Sequence, residues 1–432
     1  MRTMNSLAFR LWTLMCLLAF SSVSAHAQTE AIDRKSSNAG AENTRLWRLT
    51  RLCCSLLMLL MAVPGISRAQ TQPQAKPPGA EPTPEPAVPA VLAAFDKYEV
   101  VAMPEAHGMK DIDDFILSLI RNPAFPEKVN DIEVECGNSL YQPVLDRYIA
   151  GDDVPFTEVR KVWRNTTQSM CGESGFFEQF FPLVRTINQK LAAAQRIRVL
   201  AGDPPIDWDK VNSFEDAKQF LGRVRSITSV MEKEVLSKHR KALMLFGNHH
   251  IFHGGPISSV SRYEKDYPNL TLVINDIGPF YKNPPGQSGN PFASWPVPSL
   301  VLAKGTWLGA LDLGHFLPPP FMMDQDCKVN NEFPKPLQKP MEELVDAFLY
   351  LGPPDLSLKE QLPADIALDV DYEKELPRRE SLQGLHPMPR ETNQEIVNEA
   401  ENPLYDVSSP PPDTKLMEKD CLDRKGHTPA PQ

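Results

Sequence analysis

Tyr98-Glu99-Val100-Val101-Ala102-Met103-Pro104-Glu105-Ala106-His107-Gly108 is the stretch whose reading decides the fold. Its first six residues form a short apolar run of β-rich composition, and the next five are a polar loop. Lys110 to Arg121 then carries apolar residues at helical spacing. A buried strand that hands over to a helix is half of a βαβ unit, and the pattern continues outward from here. Ile132 to Val134 reads as the next strand, Leu140 to Ala150 as a helix, and helical stretches follow over Phe156 to Gln168 and Phe176 to Ala194. Ile197 to Leu200, Ala242 to Phe246 and Leu270 to Ile274 are further strands, joined by Val301 to Ala303 and Phe348 to Leu351. Ser213-Phe214-Glu215-Asp216 has the form of a capping box. After it, Ala217, Leu221, Val224, Ile227, Met231 and Val235 keep helical spacing along one long amphipathic helix. Strands alternating with helices require right-handed crossovers, which predicts an α/β fold with a mainly parallel sheet. The strand runs lack strict alternation, as expected for a sheet covered by helices on both faces.

In such a sheet ligands bind outside the carboxyl ends of the strands. After the first strand come Glu105 and His107, and after the second Glu135, in Val134-Glu135-Cys136-Gly137-Asn138. Asp203 follows the third, and Gly247-Asn248-His249-His250-Ile251-Phe252-His253 follows the fourth. Asp276 follows the fifth. Four of the nine histidines therefore fall in two short loops on one predicted edge. Each residue also has a plain structural reading. Glu105 and Asp203 could cap helices, a lone histidine at a strand end is more often structural than a ligand, and Asp207 and Asp209 suit a surface turn. His315 stays unassigned. His249 and His253 are four apart, but the glutamate of H-E-x-x-H is missing, His250 standing in its place. Five strand ends agree, and that agreement points to one site where no single residue would. No G-x-S-x-G elbow, P-loop or G-x-G-x-x-G loop is present.

The chain has 432 residues and a formal charge of −10. Residues 1–69 carry eight basic and three acidic side chains, so the remainder carries −15. Counterion release needs clustered Lys and Arg, so this balance argues against a general nucleic-acid binder. An export signal occurs twice. Arg2 and Arg10 precede the apolar run Leu11 to Phe20 and an Ala25-His26-Ala27 cleavage pattern. Arg45, Arg48 and Arg51 then precede Leu52 to Val63 and Ser67-Arg68-Ala69. Each apolar run is short for a bilayer span, which needs about 20 residues. The expected organisation is a signal-like segment over 1–28, a second over 29–69, a Pro-rich linker over 70–91, an α/β catalytic-type domain over 92–376, and a disordered Pro- and charge-rich tail over 377–432. The protein is expected to be exported with its leader cleaved, touching a membrane only through an uncleaved leader. Four cysteines remain beyond the leaders, and Cys327 with Cys421 is the favoured pair, both lying in polar, loop-like surroundings.

Glu105-Ala106-His107-Gly108 resembles the G-E-x-H-G loop of the erythromycin esterase, ChaN and Tiki superfamily, and Gly247-Asn248-His249-His250 resembles its G-x-x-H motif. Glu105, His107 and His250 match position by position, and Glu135 resembles the acidic residue after the second strand. Pro104 departs from the pattern by replacing the first glycine, which alters backbone freedom just before Glu105. The resemblance implies a metal-independent esterase in one branch, a metal-dependent peptidase in another and haem binding in a third. The expected function is an exported hydrolase of an ester or amide bond, acting on a small molecule or peptide. His107 serves as general base or metal ligand, with Glu105 and Glu135 orienting or activating it. His250 is the second base or ligand, and Asp203, His249 and Asp276 are binding residues. A divalent Mn, Zn or Co ion held by Glu105, His107 and His250 is the expectation for a metal-assisted form. The alternatives are an exported haem- or metal-binding protein without turnover, and a degenerate interaction module.

Overall fold

The computed structural model describes residues 79–385, apart from 106, 321, 324, 325, 364 and 367, together with 401–405, 407 and 413–427. Both leader segments and the start of the linker lie outside the described residues. No helix among the described residues is long and apolar enough to cross a membrane.

The strands are β1 (Glu85–Pro86), β2 (Val100–Pro104), β3 (Asp131–Asn138), β4 (Arg198–Asp203), β5 (Ala242–Phe246), β6 (Thr271–Asp276), β7 (Ser299–Leu302), β8 (Met322–Met323), β9 (Val329–Asn330) and β10 (Ala347–Tyr350). Eight of them form one sheet in the order β1-β7-β10-β6-β2-β5-β3-β4, while β8 and β9 make a separate hairpin. From β10 to β4 every pairing is parallel; β7 and β1 continue the sheet antiparallel at one edge. The chain leaves β2, builds β3 and β4, and then returns to insert β5 between β2 and β3. The carboxyl ends of β2, β3, β4, β5 and β6 are consequently neighbours on one edge.

Period-two alternation divides each central strand between two cores. On β2, Val101 and Met103 pack with Ile116, Phe180 and Trp163, whereas Val100 and Ala102 join Ile227, Met231 and Phe252 on the other face. Every residue of β2 is buried, as a strand covered on both faces requires. Pro104 costs the ladder nothing. Val100 donates toward the β6 side, at Leu270, and Glu105 toward β5, at Phe246, so the donor missing at Pro104 would face β6. Pairing with β6 has already ended at Ala102 and Val273.

The structure corrects four expectations of extent. Residues 85–94, assigned to the linker through 91, form β1 and the helix Ala87–Ala94, with Ala87, Val91 and Leu92 buried. Their prolines occupy a helix start and an edge strand, where a missing N–H is tolerated. The helix beginning at Phe176 stops at Asn188 because the Asn188 side chain turns to bond Ile197 and Ile149. The long amphipathic helix is broken into Phe214–Lys218 and Arg223–Val230, followed by a wide-pitched turn over Met231–Val235. Its apolar stripe has two destinations: Ala217 packs with Ile206, Trp208 and Val211, but Ile227, Met231 and Val235 pack on the sheet. The tail is not wholly loose. The helix Val370–Leu382 runs through Pro377 and buries Leu376, and Tyr372 donates to the Arg164 carbonyl. The helix Thr414–His427 is tied down by the expected Cys327–Cys421 disulfide. A second disulfide joins Cys136 to Cys171.

Glu133, in the middle of β3, is fully buried and neither carboxyl oxygen has a hydrogen-bond partner. Burial pushes its carboxyl well above the ordinary range, so the folded state favours the protonated acid. The unfolded chain ionises this group above its ordinary pKa of about 4.3. Glu133 therefore costs stability increasingly as pH rises past that value. Glu133→Met should raise the unfolding free energy at neutral pH by about 1–3 kcal/mol. The gain should shrink toward pH 4 in urea melts, and a destabilised variant at pH 7 would contradict this account.

Candidate active site

The edge formed by β2, β3, β4 and β5 gathers a connected polar network. Glu105, immediately after β2, is fixed by its N–H bond to Phe246 on β5. Its buried carboxylate lies 3.2 Å from His107 Nδ1. Burial opposes a charge on His107. The attraction of the Glu105 carboxylate, with Glu135 beyond, outweighs it and pushes the imidazole up to about 9.

β3 carries its irregularity where the chemistry sits: regular pairing with β4 breaks between Val134 and Asn138, around Glu135 and Cys136. Glu135 Oε2 accepts the Gly247 N–H at 2.6 Å. A side chain at Gly247 would begin 3.3 Å from that oxygen, so glycine there permits the close approach. Glu135 Oε1 faces Arg223 Nη2 at 2.9 Å and His250 Nε2 at 3.5 Å. Burial alone would raise the Glu135 pKa. The Arg223, His250 and His107 charges and the Gly247 N–H reverse this and hold it down at about 2.

Arg223 also reaches Asp203, Nε to Oδ1 at 2.6 Å. Asp203 accepts the Thr167 N–H at 2.7 Å and its hydroxyl at 3.0 Å. Even so, burial leaves the Asp203 carboxyl above its ordinary pKa, against the pull of Arg223 and Thr167. One guanidinium thus spans the ends of β3 and β4. Arg223 opens the helix Arg223–Val230, directly after the break at Gly222.

His250 lies on the short helix Asn248–Ile251, with Nδ1 3.1 Å from the Ile257 carbonyl. A carbonyl can only accept, so this contact assigns the proton to Nδ1 and leaves Nε2 facing Glu135. His249 turns elsewhere, with its ring edge-on to Phe252 at 6.0 Å, and burial and the neighbouring His250 lower its pKa. Asp276 is buried beside Asn248, which bonds Asn275 at 2.7 Å, and burial raises its pKa. His253 is structural: its two ring nitrogens lie 3.0 Å from Glu264 and 3.0 Å from Asp346, pinning the loop.

Glu105, His107, Glu135, Asp203 and His250 are therefore brought into one network, while His249 and Asp276 flank it. Sequence reasoning missed Arg223 and Thr167, and also Glu360. Glu360 accepts from the Phe176 N–H at 2.5 Å, and burial and the charge of Glu105 push it up to about 7. The one available signal was Gly222-Arg223, a poor pair for the interior of an unbroken helix.

The expected metal set does not fit. Among the described residues, the group of His, Cys, Asp and Glu donors within 4.8 Å of one another is His107, Cys136 and Cys171, and not Glu105, His107 and His250. What the network can do is proton transfer between a carboxylate-backed imidazole and water, beside a second imidazole that stays charged.

No protein-family model matches the chain, and no curated protein matches it. Among solved structures it is similar to a structural-genomics protein from Bacillus cereus, at 10% identity and a TM-score of 0.41, covering 66% of this chain and 97% of that one. A succinoglycan biosynthesis protein gives 10% identity and a TM-score of 0.41, covering 63% and 94%. The haem-binding ChaN of Campylobacter jejuni gives 12% identity and a TM-score of 0.28, covering 46% and 87%.

Proposed function

We propose that this chain is an exported hydrolase of the erythromycin esterase, ChaN and Tiki type, cleaving an ester or amide bond in a small molecule or peptide without a metal. The single observation that carries this reading is the Arg223–Glu135–His250 relay. A buried carboxylate is kept ionised by a guanidinium and presented to an imidazole whose other nitrogen is committed to Ile257. In that arrangement His250 Nε2 takes a proton from water, Glu135 stabilises the resulting imidazolium, and the hydroxide attacks the carbonyl carbon. His107, charged beside Glu105, donates a proton to the departing oxygen or nitrogen. The two imidazoles then exchange the proton through solvent, so the net consumption is one water. Asp203 keeps Arg223 in place. The two disulfides support an oxidising compartment, in keeping with the duplicated leader.

The test is turnover of p-nitrophenyl esters and a peptide amide library by the full chain, with and without a chelator. Hydrolysis that survives the chelator and disappears in Glu135→Gln is the expected result. A folded chain inert across both substrate classes overturns the proposal. If that inert chain takes up haem with a Soret band, the non-catalytic binding reading replaces it.

A further inference from the structure

We infer that the side-chain amides of Asn188 and Gln142 close the outer edge of β4, and that this edge, once opened, pairs with a second copy of the chain. The inference stands apart from the hydrolytic reading, because it concerns the side of the sheet and not the chemistry at the strand ends.

The sheet ends on β1 at one side and on β4 at the other. An end strand presents unpaired N–H and C=O groups, which invite a strand from another chain. β1 offers little to pair with, since it is two residues long and one of them is Pro86. β4 is six residues long, has Val199, Leu200 and Ala201 at its apolar centre, and pairs with β3 on its inner side. Its outer side borders a cleft of about 490 Å³. The helix Gln142–Ala150 lines that cleft from one face of the sheet, and Val230 and Glu234 line it from the other. A cleft of this size admits an extended segment.

Two side chains stand where a ninth strand would lie. Asn188 Oδ1 accepts the Ile197 N–H at 2.9 Å, and its Nδ2 donates to the Ile197 carbonyl at 2.8 Å. Gln142 Nε2 donates to the Val199 carbonyl at 2.8 Å, and its Oε1 accepts the Ala201 N–H at 2.8 Å. A residue's N–H and C=O point to the same side of a strand and alternate along it, so 197, 199 and 201 carry the outward groups. A carboxamide suits this position, because it offers a donor and an acceptor and has no chain beyond it to continue the sheet. Both amides are held in place. Asn188 is buried at the end of the helix Phe176–Asn188, and Gln142 Nε2 also donates to Asp146 at 2.7 Å.

Charge identifies the partner. Arg196 donates to the Ala150 carbonyl, Asp146 accepts from Gln142, and neither has an ion pair among the described residues. Antiparallel pairing of two β4 edges, with Ile197 opposite Ala201, brings Arg196 of each copy toward Asp146 of the other. One contact is then made twice about a two-fold axis, as a closed dimer requires.

The experiment measures the mass of the full chain by light scattering across a range of concentrations, beside Gln142→Leu, with circular dichroism to follow the fold. Gln142→Leu removes the donor and the acceptor together. Its mass should rise to twice that of the native chain as concentration increases. Adding Arg196→Glu should abolish the doubling, and adding Asp146→Lys to that form should restore it. Hydrogen exchange locates the contact. The Ala201 N–H should be protected in the native chain, exchange faster in dilute Gln142→Leu, and regain protection in the doubled form. A folded Gln142→Leu chain that keeps the native mass at every concentration overturns the inference, as does a doubled form with Ala201 unprotected. If Gln142→Leu does not fold, Gln142→Ala takes its place, and rapid exchange at Ile197 and Ala201 in the native chain would by itself overturn the closed edge.

Discussion

Arg223→Met is expected to lower the unfolding free energy by roughly 3–5 kcal/mol, the cost of removing one partner from a buried charge network. Arg223 is 11% exposed and divides its guanidinium between Glu135 and Asp203, both buried. Methionine fills much of the volume and supplies none of the five donors, so two carboxyls lose their counter-charge together. Arg223→Lys should fall between, because a single ammonium cannot repeat the fork that meets Oε1 of one residue and Oδ1 of another. The sign of the pH dependence is set by Glu135. Its folded pKa of about 2 lies below the unfolded value, so its contribution is present above roughly pH 4.3 and is lost as pH falls toward 2. The gap between wild type and Arg223→Met should therefore be widest near neutrality and should close in acid. Urea melts at pH 7 and pH 3 measure this. A neutral-pH difference under about 1 kcal/mol would show that Arg223 is not the counter-charge of these carboxylates.

The same residue marks where the site ceased to be legible in the chain. Glu105, Glu135, Asp203 and His250 could be gathered beforehand because parallel strands place their carboxyl ends on one edge. Knowing the strands was enough to place the residues just beyond their ends. Arg223 opens a helix and Thr167 sits in the bend between the helices Phe156–Arg164 and Ser169–Gly172, and their approach to Asp203 depends on tertiary packing that periodicity does not encode. The amphipathic pattern from Ala217 to Val235 concealed the break at Gly222, since each half is helical and merely faces a different partner. The Cys136–Cys171 bond was illegible for a related reason. Cys136 lies within β3 and Cys171 within the helix Ser169–Gly172, and pairing depends on Cα separation and not on local composition. Cys327 and Cys421 were paired because polar flanks marked both as loop-like, although Cys421 lies within the helix Thr414–His427. The proline-rich segment before β2 misled because proline count signals an extended linker but does not register Ala87, Val91 and Leu92, which anchor a helix in the core. The metal expectation rested on spacing along the strands, and the donors of Glu105, His107 and His250 do not converge within 4.8 Å of one another.

His250→Asn is expected to reduce kcat by about 10²–10⁴-fold while leaving KM within a few-fold, the pattern for a general base that acts in the transition state and not in binding. Asparagine keeps a polar group near Ile257 and Glu135 but has no nitrogen able to take a proton. Glu135→Gln should show a comparable loss in kcat, since the Nε2 imidazolium would form without its counter-charge 3.5 Å away. Combining the two should cost little more than either alone, because a base and the carboxylate that stabilises it act as one unit. The competing arrangement, with His107 as base, predicts the reverse ranking. His107→Gln would then abolish turnover and His250→Asn would leave most of it, with the double His250→Asn, Glu135→Gln form losing the product of two independent effects. His107 begins as an imidazolium up to about pH 9, so in that arrangement it would have to shed its own proton to the Glu105 side before it could accept one from water. His250 Nδ1 is committed to the Ile257 carbonyl and its Nε2 lies beside Glu135, which is why the larger effect is assigned to it.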